Sequence, residues 1–352
     1  MSLAIRPLDP AAVPAWDRFV LAHPDGTFFH RAAWQGVIEA AFGHRTHYVF
    51  AERDGAITGV LPLAQVKTLL FGNTLISVPF GVYGGPLAAD DETAAALMAH
   101  AAALRPGTRA GAVEFRYRDP PEAGRAAVLD AAGWVDRPGL YVTFRKPISA
   151  AADDNLKAIP RKQRAMVRKG IQRELASVVD RDTDRLHQIY AESVRNLGTP
   201  VFPRRYFRLL AAAFGEDCDV LTVLDQGRPI ASVLNFYFRD EVLPYYGGGT
   251  AEARQRAGND FMYWEVMRRA AARGCRVFDF GRSKEGTGSY AFKRNWGFEP
   301  TPLHYRFLLA PGAEVPELNP LNPKFRLFIA TWKRLPLPVA NLLGPRIVRG
   351  LG

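Results

Sequence analysis

The stretch from Gly281 to Pro300 reads GRSKEGTGSYAFKRNWGFEP and follows an apolar run, CRVFDF, of the kind that forms a buried strand. Its first fourteen residues hold three glycines and four cations. α/β folds place ligands beside loops that leave the carboxyl end of a sheet strand, and glycines there let backbone amides approach an anion. Arg282, Ser283, Lys284 and Tyr290 are therefore expected at the mouth of a cleft, against the plainer reading of a flexible crossover. Asp279 lies inside the apolar VFDFG, where a carboxylate must be paired or hydrogen-bonded. It could orient an attacking amine or accept its proton, or pair with Arg282 or a backbone amide.

Charge points to an anionic partner. The 352 residues carry a formal net charge of +11, concentrated in two stretches. Asn155 to Arg173 holds seven Lys or Arg and no acid, and Asn319 to Gly352 holds six and no acid. Phosphate, nucleic acid and a membrane surface are the candidates. In the first stretch, Pro160 can open a helix with Arg161, Arg164 and Arg168 on one face, suited to RNA phosphates or to solvent. In the second, Phe325, Phe328, Ile329 and Trp332 form a helical stripe flanked by Lys324, Arg326, Lys333 and Arg334, ending before Pro336. Such a segment either lies on an anionic membrane or docks on the protein as an extension of its core.

Other chemistries find little support. Cys218 and Cys275 are too few for a disulfide framework and not spaced as metal ligands, which fits a reducing compartment. His44 and His47 lie beside a strand with no third ligand in view, so no metal site is expected. The N-terminus lacks a basic region followed by an apolar one, so no signal peptide is expected and a cytoplasmic location is. The uncharged run from Thr68 to Ala89 is broken by glycines and prolines, and reads as strand, turn, strand rather than a membrane helix.

The elements that must position these residues occur twice. FFHRAAWQGVIEAAFGH (28–44) is echoed by VFPRRYFRLLAAAFGED (201–217), AERDGAITGVLPL by TVLDQGRPIASVLNF, and VYGGPLA by YYGGGTA. Tight turns at Gly55 and Gly227 make each second pair a hairpin. Helical windows, DDETAAALMAHAAAL and NDFMYWEVMRRAAARG, come next, followed by strands AVEFRYR and RVFDFGR. The pair AAGWVDRPGLYVTFRK and NWGFEPTPLHYRFLL closes each half, which runs helix, hairpin, strand, helix, strand, strand over a mixed sheet. Expected domains are 1–150, a basic linker helix 151–175, a catalytic domain 176–312 and a basic amphipathic tail 313–352.

That order, with a glycine-bearing turn from a central strand into a helix, resembles the fold of the GCN5-related N-acetyltransferases (GNAT). Two such units joined by a basic helix resemble the Fem-type peptidoglycan-bridge aminoacyltransferases and their FemAB-like relatives. AESVRNLGTPVFPRRYF, FDFGRS and YAFKRNWGF are similar to FemAB-like proteins associated with bacterial exopolysaccharide and exosortase systems. The resemblance covers roughly residues 1–310 in fold, and reaches motif level only from about 190 to 300.

It implies a tandem GNAT-like α/β fold and acyl transfer to an amine of a cell-envelope precursor. The Phe-Lys pair of that family matches Phe292 and Lys293, which would engage the acceptor end of an aminoacyl-tRNA and stabilise the developing oxyanion. The alternative is that Phe292 fills core and Lys293 is solvated. Arg195 matches an arginine that contacts the diphosphate of a nucleotide- or lipid-linked glycan or peptide acceptor, although it could instead pair with Glu192. The family's partner lysine in the first domain has no counterpart in AAWQGVIEAAF. Tyr246 is placed with the substrate-binding residues.

Acyl-CoA-dependent relatives hold a pyrophosphate in a Q/R-x-x-G-x-G/A turn, which Gln255 and Gly258 fit. Asp260 replaces the last small residue, sets a negative charge where phosphates would lie, and reads as part of a helix cap. Aminoacyl-tRNA is accordingly the expected co-substrate, acyl-CoA the alternative, and no cofactor is required. Peripheral contact with the inner face of the cytoplasmic membrane through the tail, and a non-catalytic accessory role, complete the expectations.

Overall fold

A computed structural model describes residues 3–68, 72–315 and 323–352. The chain forms two compact units. The first comprises Met1–Tyr141, Pro302–Leu318 and Arg349–Gly352; the second comprises Val142–Thr301 and Asn319–Val348.

In the first unit β1 (Ala4–Pro7) precedes α1 (Val13–Ala22) and α2 (Trp34–Phe42), which Gly43 ends at φ +67°. β2 (Arg45–Arg53) and β3 (Ala56–Thr68) form a hairpin over Asp54-Gly55, both at positive φ, the backbone of a two-residue turn that matches strand twist. β4 (Gly72–Ser77) runs antiparallel to β3, and the short β5 (Leu87–Ala88) also pairs with β3. Asp90 caps α3 (Asp91–Thr108) by accepting from Thr93 N at 2.7 Å. β6 (Ala112–Tyr117) then returns parallel to β4, and α4 (Ala123–Ala131) leads to β7 (Val135–Pro147).

A linker of α5 (Ala152–Ala158) and α6 (Arg161–Gln172) opens the second unit. The same order then repeats: β8 (Ala176–Asp180), α7 (Thr183–Leu197), α8 (Arg204–Phe214), and a hairpin of β9 (Cys218–Asp225) and β10 (Arg228–Phe238). Gln226-Gly227 repeats the positive-φ turn. β11 (Glu241–Gly249), a one-turn α9 (Ala251–Arg256), α10 (Gly258–Ala272), β12 (Val277–Ser283), α11 (Gly288–Asn295) and β13 (Pro300–Leu309) follow. The tail carries α12 (Pro323–Trp332) and α13 (Leu337–Val348).

Two features depart from the sequence reading. Each half has a further helix, α4 or α11, between its last two strands. The last strands are also exchanged. β6 in the first unit pairs antiparallel with β13, from Tyr117 opposite His304 to Ala112 opposite Leu309. β12 in the second unit pairs antiparallel with the end of β7, Pro147 lying opposite Val277. The compact units therefore differ from the contiguous 1–150 and 176–312 segments, because the final strand of each repeat completes the sheet that the other begins.

Each unit has its own core. In the first, Phe115 stacks on Trp134 with centroids 4.3 Å apart above Leu61, Leu75 and Leu97, all fully buried. In the second, Phe278, Phe280, Phe298 and Trp296 interlock beneath α10 and beside α11.

Candidate functional site

The strand-to-helix turn after β12 is built around a bulge. Asp279 lies opposite Arg145 and Arg282 opposite Thr143, so Phe280 and Gly281 together face the single residue Phe144. Gly281 has φ +66°, a backbone setting that disfavours any side chain. Asp279, 1 % exposed, accepts the Gly281 amide on Oδ1 at 2.7 Å and sets Oδ2 3.3 Å from Arg145 Nε. The backbone-amide pairing considered from sequence is present, and Arg145 is a cation that sequence distance had hidden.

Lys293 rises from α11 into this turn. Thr287 caps the helix by accepting from Tyr290 N at 3.3 Å, so the chain reverses within four residues of Ser283. The Lys293 side chain is 9 % exposed, and its Nζ donates to the carbonyls of Gly281 and Arg282, each at 3.0 Å. It also lies 5.6 Å from the Phe144 ring centroid. Burial pulls its pKa from 10.5 down to about 7, against the Asp279 charge, which raises it, and with the Arg282 charge, which lowers it further. An ammonium has three N–H donors, and here the third has no partner among the described residues. The alternatives of a solvated lysine and an ordinary exposed turn both fail: the segment is helical and the amine is enclosed.

The neighbours are only partly as expected. Of the four residues placed at a cleft mouth, Ser283 is buried, with its hydroxyl donating to Ser289 Oγ at 3.3 Å, and Tyr290 sets its ring edge-on to Phe144 at 5.3 Å. Arg282 and Lys284 keep partial exposure. The half-buried Phe292 ring, expected as a stacking face, packs against Tyr263 at 5.5 Å, Trp296 at 6.1 Å and Phe280 at 6.3 Å. Helical spacing explains this, because Phe292 and Trp296 are four residues apart and share the core-facing side of α11.

β11 and β12 part company toward this turn. Their parallel register consists of Glu241 with Val277 and Val242 with Phe278, and among the described residues it does not continue to their carboxyl ends. Tyr263 of α10 spans the gap. Its hydroxyl lies 3.2 Å from where a Cβ on Gly247 would sit, and its ring is 5.0 Å from Phe280. Burial pushes this phenol up to about 12. Sequence reasoning did not select Tyr263; the signal was the Gly247–Gly249 triplet, whose missing side chains make room for Tyr263, Ser193 and Asn259.

Arg195 and Tyr246 belong to a second group on α7, α8 and β11. Arg195 does not pair with Glu192, which accepts the Ala251 amide; its Nη1 donates to the Lys333 carbonyl at 3.2 Å, while its buried Nε has no partner. Tyr246 is 6 % exposed, shares a 2.9 Å hydrogen bond with the Tyr206 hydroxyl and is surrounded by Tyr190, Phe202 and Phe207.

The junction of α9 and α10 corrects the reading of Asp260. The residue preceding α10 is Ala257, in a left-handed conformation and without a side-chain cap. Asp260 instead points inward, 7 % exposed, and accepts from Gln163 and from Trp296 Nε1 at 3.2 Å, with burial raising its pKa. Its charge is therefore absent from the exposed side of the turn. Gln255 is exposed, with its carbonyl accepting from Arg173, and Gly258 packs so closely on Ala253 and Ile230 that a Cβ would lie 3.0 to 3.2 Å from them.

On α6, Val167 and Gly170 face the protein, Arg164 is tied to the Lys157 carbonyl, and Arg161, Lys162, Arg168 and Lys169 are exposed. Among the described residues no cluster of His, Cys, Asp or Glu is arranged to hold a metal ion. His44 Nε2 donates to the Arg349 carbonyl, 2.7 Å away.

Comparison with known proteins agrees on the fold. Residues 154–294 match the family model described as an acetyltransferase (GNAT) domain. The chain superposes on the crystal structure of FemX with a TM-score of 0.69 and 16 % identity, over 93 % of this chain and 100 % of that one. It is similar to the C-terminal domain of a putative lysylphosphatidylglycerol synthetase from Agrobacterium fabrum (TM-score 0.58, 15 % identity, 86 % and 93 % covered). A tandem GNAT protein from the clavulanic acid biosynthesis pathway is also similar (TM-score 0.55, 16 % identity, 90 % and 100 % covered). No curated protein sequence matches. The chain has a tandem GNAT fold like that of FemX.

Proposed function

We propose that the protein is an N-acyltransferase of the FemAB type, moving an aminoacyl group from an aminoacyl-tRNA to an amine of a cell-envelope precursor. The observation that carries this reading is the enclosed ammonium of Lys293, held by two carbonyls at the end of β12 with one N–H to spare. In the proposed reaction the amine attacks the ester carbon, the C–N bond forms, the C–O bond breaks, and the amine's proton ends on the departing hydroxyl. Negative charge on the former carbonyl oxygen peaks between those events, and a fixed N–H donor in a site poor in water stabilises it.

Asp279 has both oxygens engaged, so its role in this reading is to hold the bulge and the charge balance rather than to take the proton. Arg195 and the exposed parts of Arg282 and Lys284 would orient the acceptor, and the bare cations of α6 would meet RNA phosphates. Likeness to FemX and to a putative lysylphosphatidylglycerol synthetase supports an acceptor at the cell envelope.

A second donor, acyl-CoA, is favoured by one observation: the Asp260 carboxylate is turned away from the α9–α10 turn and would not repel a pyrophosphate beside Gln255 and Gly258. A single-turnover assay with charged tRNA and with acyl-CoA, run on the full chain and on Lys293→Met, separates the two. Transfer from charged tRNA that collapses in the variant is the expected result. Turnover of neither donor would overturn the reading.

A further inference from the structure

The C-terminal helices α12 and α13 each have a buried side and an exposed side. Ile329 of α12 packs on Gly198, where a Cβ would meet its Cγ2 at 2.5 Å, and Trp332 is buried with its ring stacked on Phe328 at 5.3 Å. On α13, Ala340, Gly344 and Val348 face inward at helical spacing, and Gly344 lies against the Val201 backbone. Core docking, one of the two sequence alternatives, is therefore realised; the side chains of Lys324 and Phe325 lie outside the described residues.

The other face has no such cover. Leu327 is 77 % exposed, Leu342 65 % and Leu197, at the end of α7, 60 %, and Phe328, Val339 and Leu343 are each more than a third exposed. Val339, Leu342, Leu343 and Arg346 follow the i, i+3, i+4, i+7 spacing of one helical stripe. Six of the ten large exposed hydrophobic residues among the described ones lie on these two helices or at Leu197, and such a concentration of apolar side chains left in water marks an interaction site. Exposed Arg326, Lys333, Arg334 and Arg346 flank it, and no acid occurs from Pro323 to Gly352.

We infer that this face of α12 and α13 docks on the anionic headgroup surface of a lipid bilayer. Exposed leucines and a phenylalanine gain by entering the acyl boundary, while surrounding cations gain from anionic headgroups without any acid to oppose them. A purely phosphate-seeking surface would need the cations and not the leucines, as on α6, where exposed Arg161, Lys162, Arg168 and Lys169 stand without such a stripe. Neither helix is long and apolar enough to cross a membrane, so the contact is one of lying on the surface. The inference uses residues separate from Lys293 and the β12 turn.

The test is co-sedimentation of the full chain with phosphatidylglycerol–phosphatidylcholine vesicles and with phosphatidylcholine vesicles, at low and high salt. Expected is binding to the anionic vesicles that weakens with salt and falls by about tenfold or more in Leu342→Ser/Leu343→Ser. Both leucines are exposed, so the thermal midpoint of that variant should be unchanged, and its transfer to a water-soluble acceptor should match the parent chain. Arg161→Glu/Arg168→Glu on α6 should bind the vesicles as the parent does. Failure of the parent chain to bind anionic vesicles, or equal binding by the leucine variant, overturns the inference. So does a variant that instead loses affinity for RNA.

Discussion

Lys293 Nζ lies 3.0 Å from the carbonyl oxygen of Gly281, and each residue fixes the other. The left-handed backbone of Gly281 belongs to the bulge that aims two carbonyls at the amine, and the amine satisfies carbonyls that the bulge takes out of the ladder. Lys293→Met should abolish most transfer, by roughly 10²- to 10³-fold in kcat, as loss of one oxyanion donor does elsewhere. Above about pH 10, where the amine is neutral in both folded and unfolded chains, it should also cost about 1 to 3 kcal/mol of stability through the stranded carbonyls. Kinetics on protein shown folded by circular dichroism separates the two effects.

The same burial gives a pH signature. With a folded-state pKa near 7 against an ordinary 10.5, both folded and unfolded chains carry the Lys293 proton below 7, where the cost of enclosing the charge is fully felt. Between those values the unfolded chain binds more protons, so stability rises with pH and levels off above the upper one. Urea unfolding of the parent chain, compared with Lys293→Met, should show this rise from about pH 7 to about pH 10 in the parent alone. If the ammonium is the working form, kcat/KM should fall as pH passes upward through about 7.

Asp279→Asn keeps an oxygen for the Gly281 amide and removes the charge that raises the Lys293 pKa. The alkaline fall in kcat/KM should move to lower pH while the rate at acidic pH stays within a few-fold of the parent. A profile that does not move would show that Asp279 acts only on the fold.

Gly248 marks the approach of α7 to β11. A Cβ there would lie 2.5 Å from Ser193 Cβ and 2.7 Å from its Oγ. Gly248→Ala should cost about 1 to 3 kcal/mol in thermal or urea unfolding. Combined with Ser193→Gly, the total loss should be smaller than the sum of the two single losses, because the second change removes the clash.

Features carried by local pattern were readable from the chain alone: the repeat, both hairpins over a glycine turn, the helix before Pro336 and the need of Asp279 for partners. What escaped depends on contacts distant in sequence. α11 (GSYAFKRN) has no amphipathic pattern long enough to announce a helix, and it forms because Phe292 and the following Trp296 pack against Tyr263 and Phe280. Asp260 reads as a cap by position, yet Gln163, nearly a hundred residues earlier, draws it inward. The partner of a last strand leaves no trace in its own alternation, so the exchange of β7 and β13 could not be read. Tyr263 carries no local mark within its helical window, and only the glycines opposite reveal its reach.

That exchange has a cost during synthesis. When residues 1–141 have left the ribosome, the edge of β6 still lacks the segment His304–Leu309 that completes it, and at usual translation rates the wait is on the order of ten seconds. A nascent chain must hold that open edge unspoiled until its final third arrives. Cutting the gene in the connecting segment near Ser149 would hand each product a foreign last strand and deny it its own, so neither product should be recoverable as a soluble monomer.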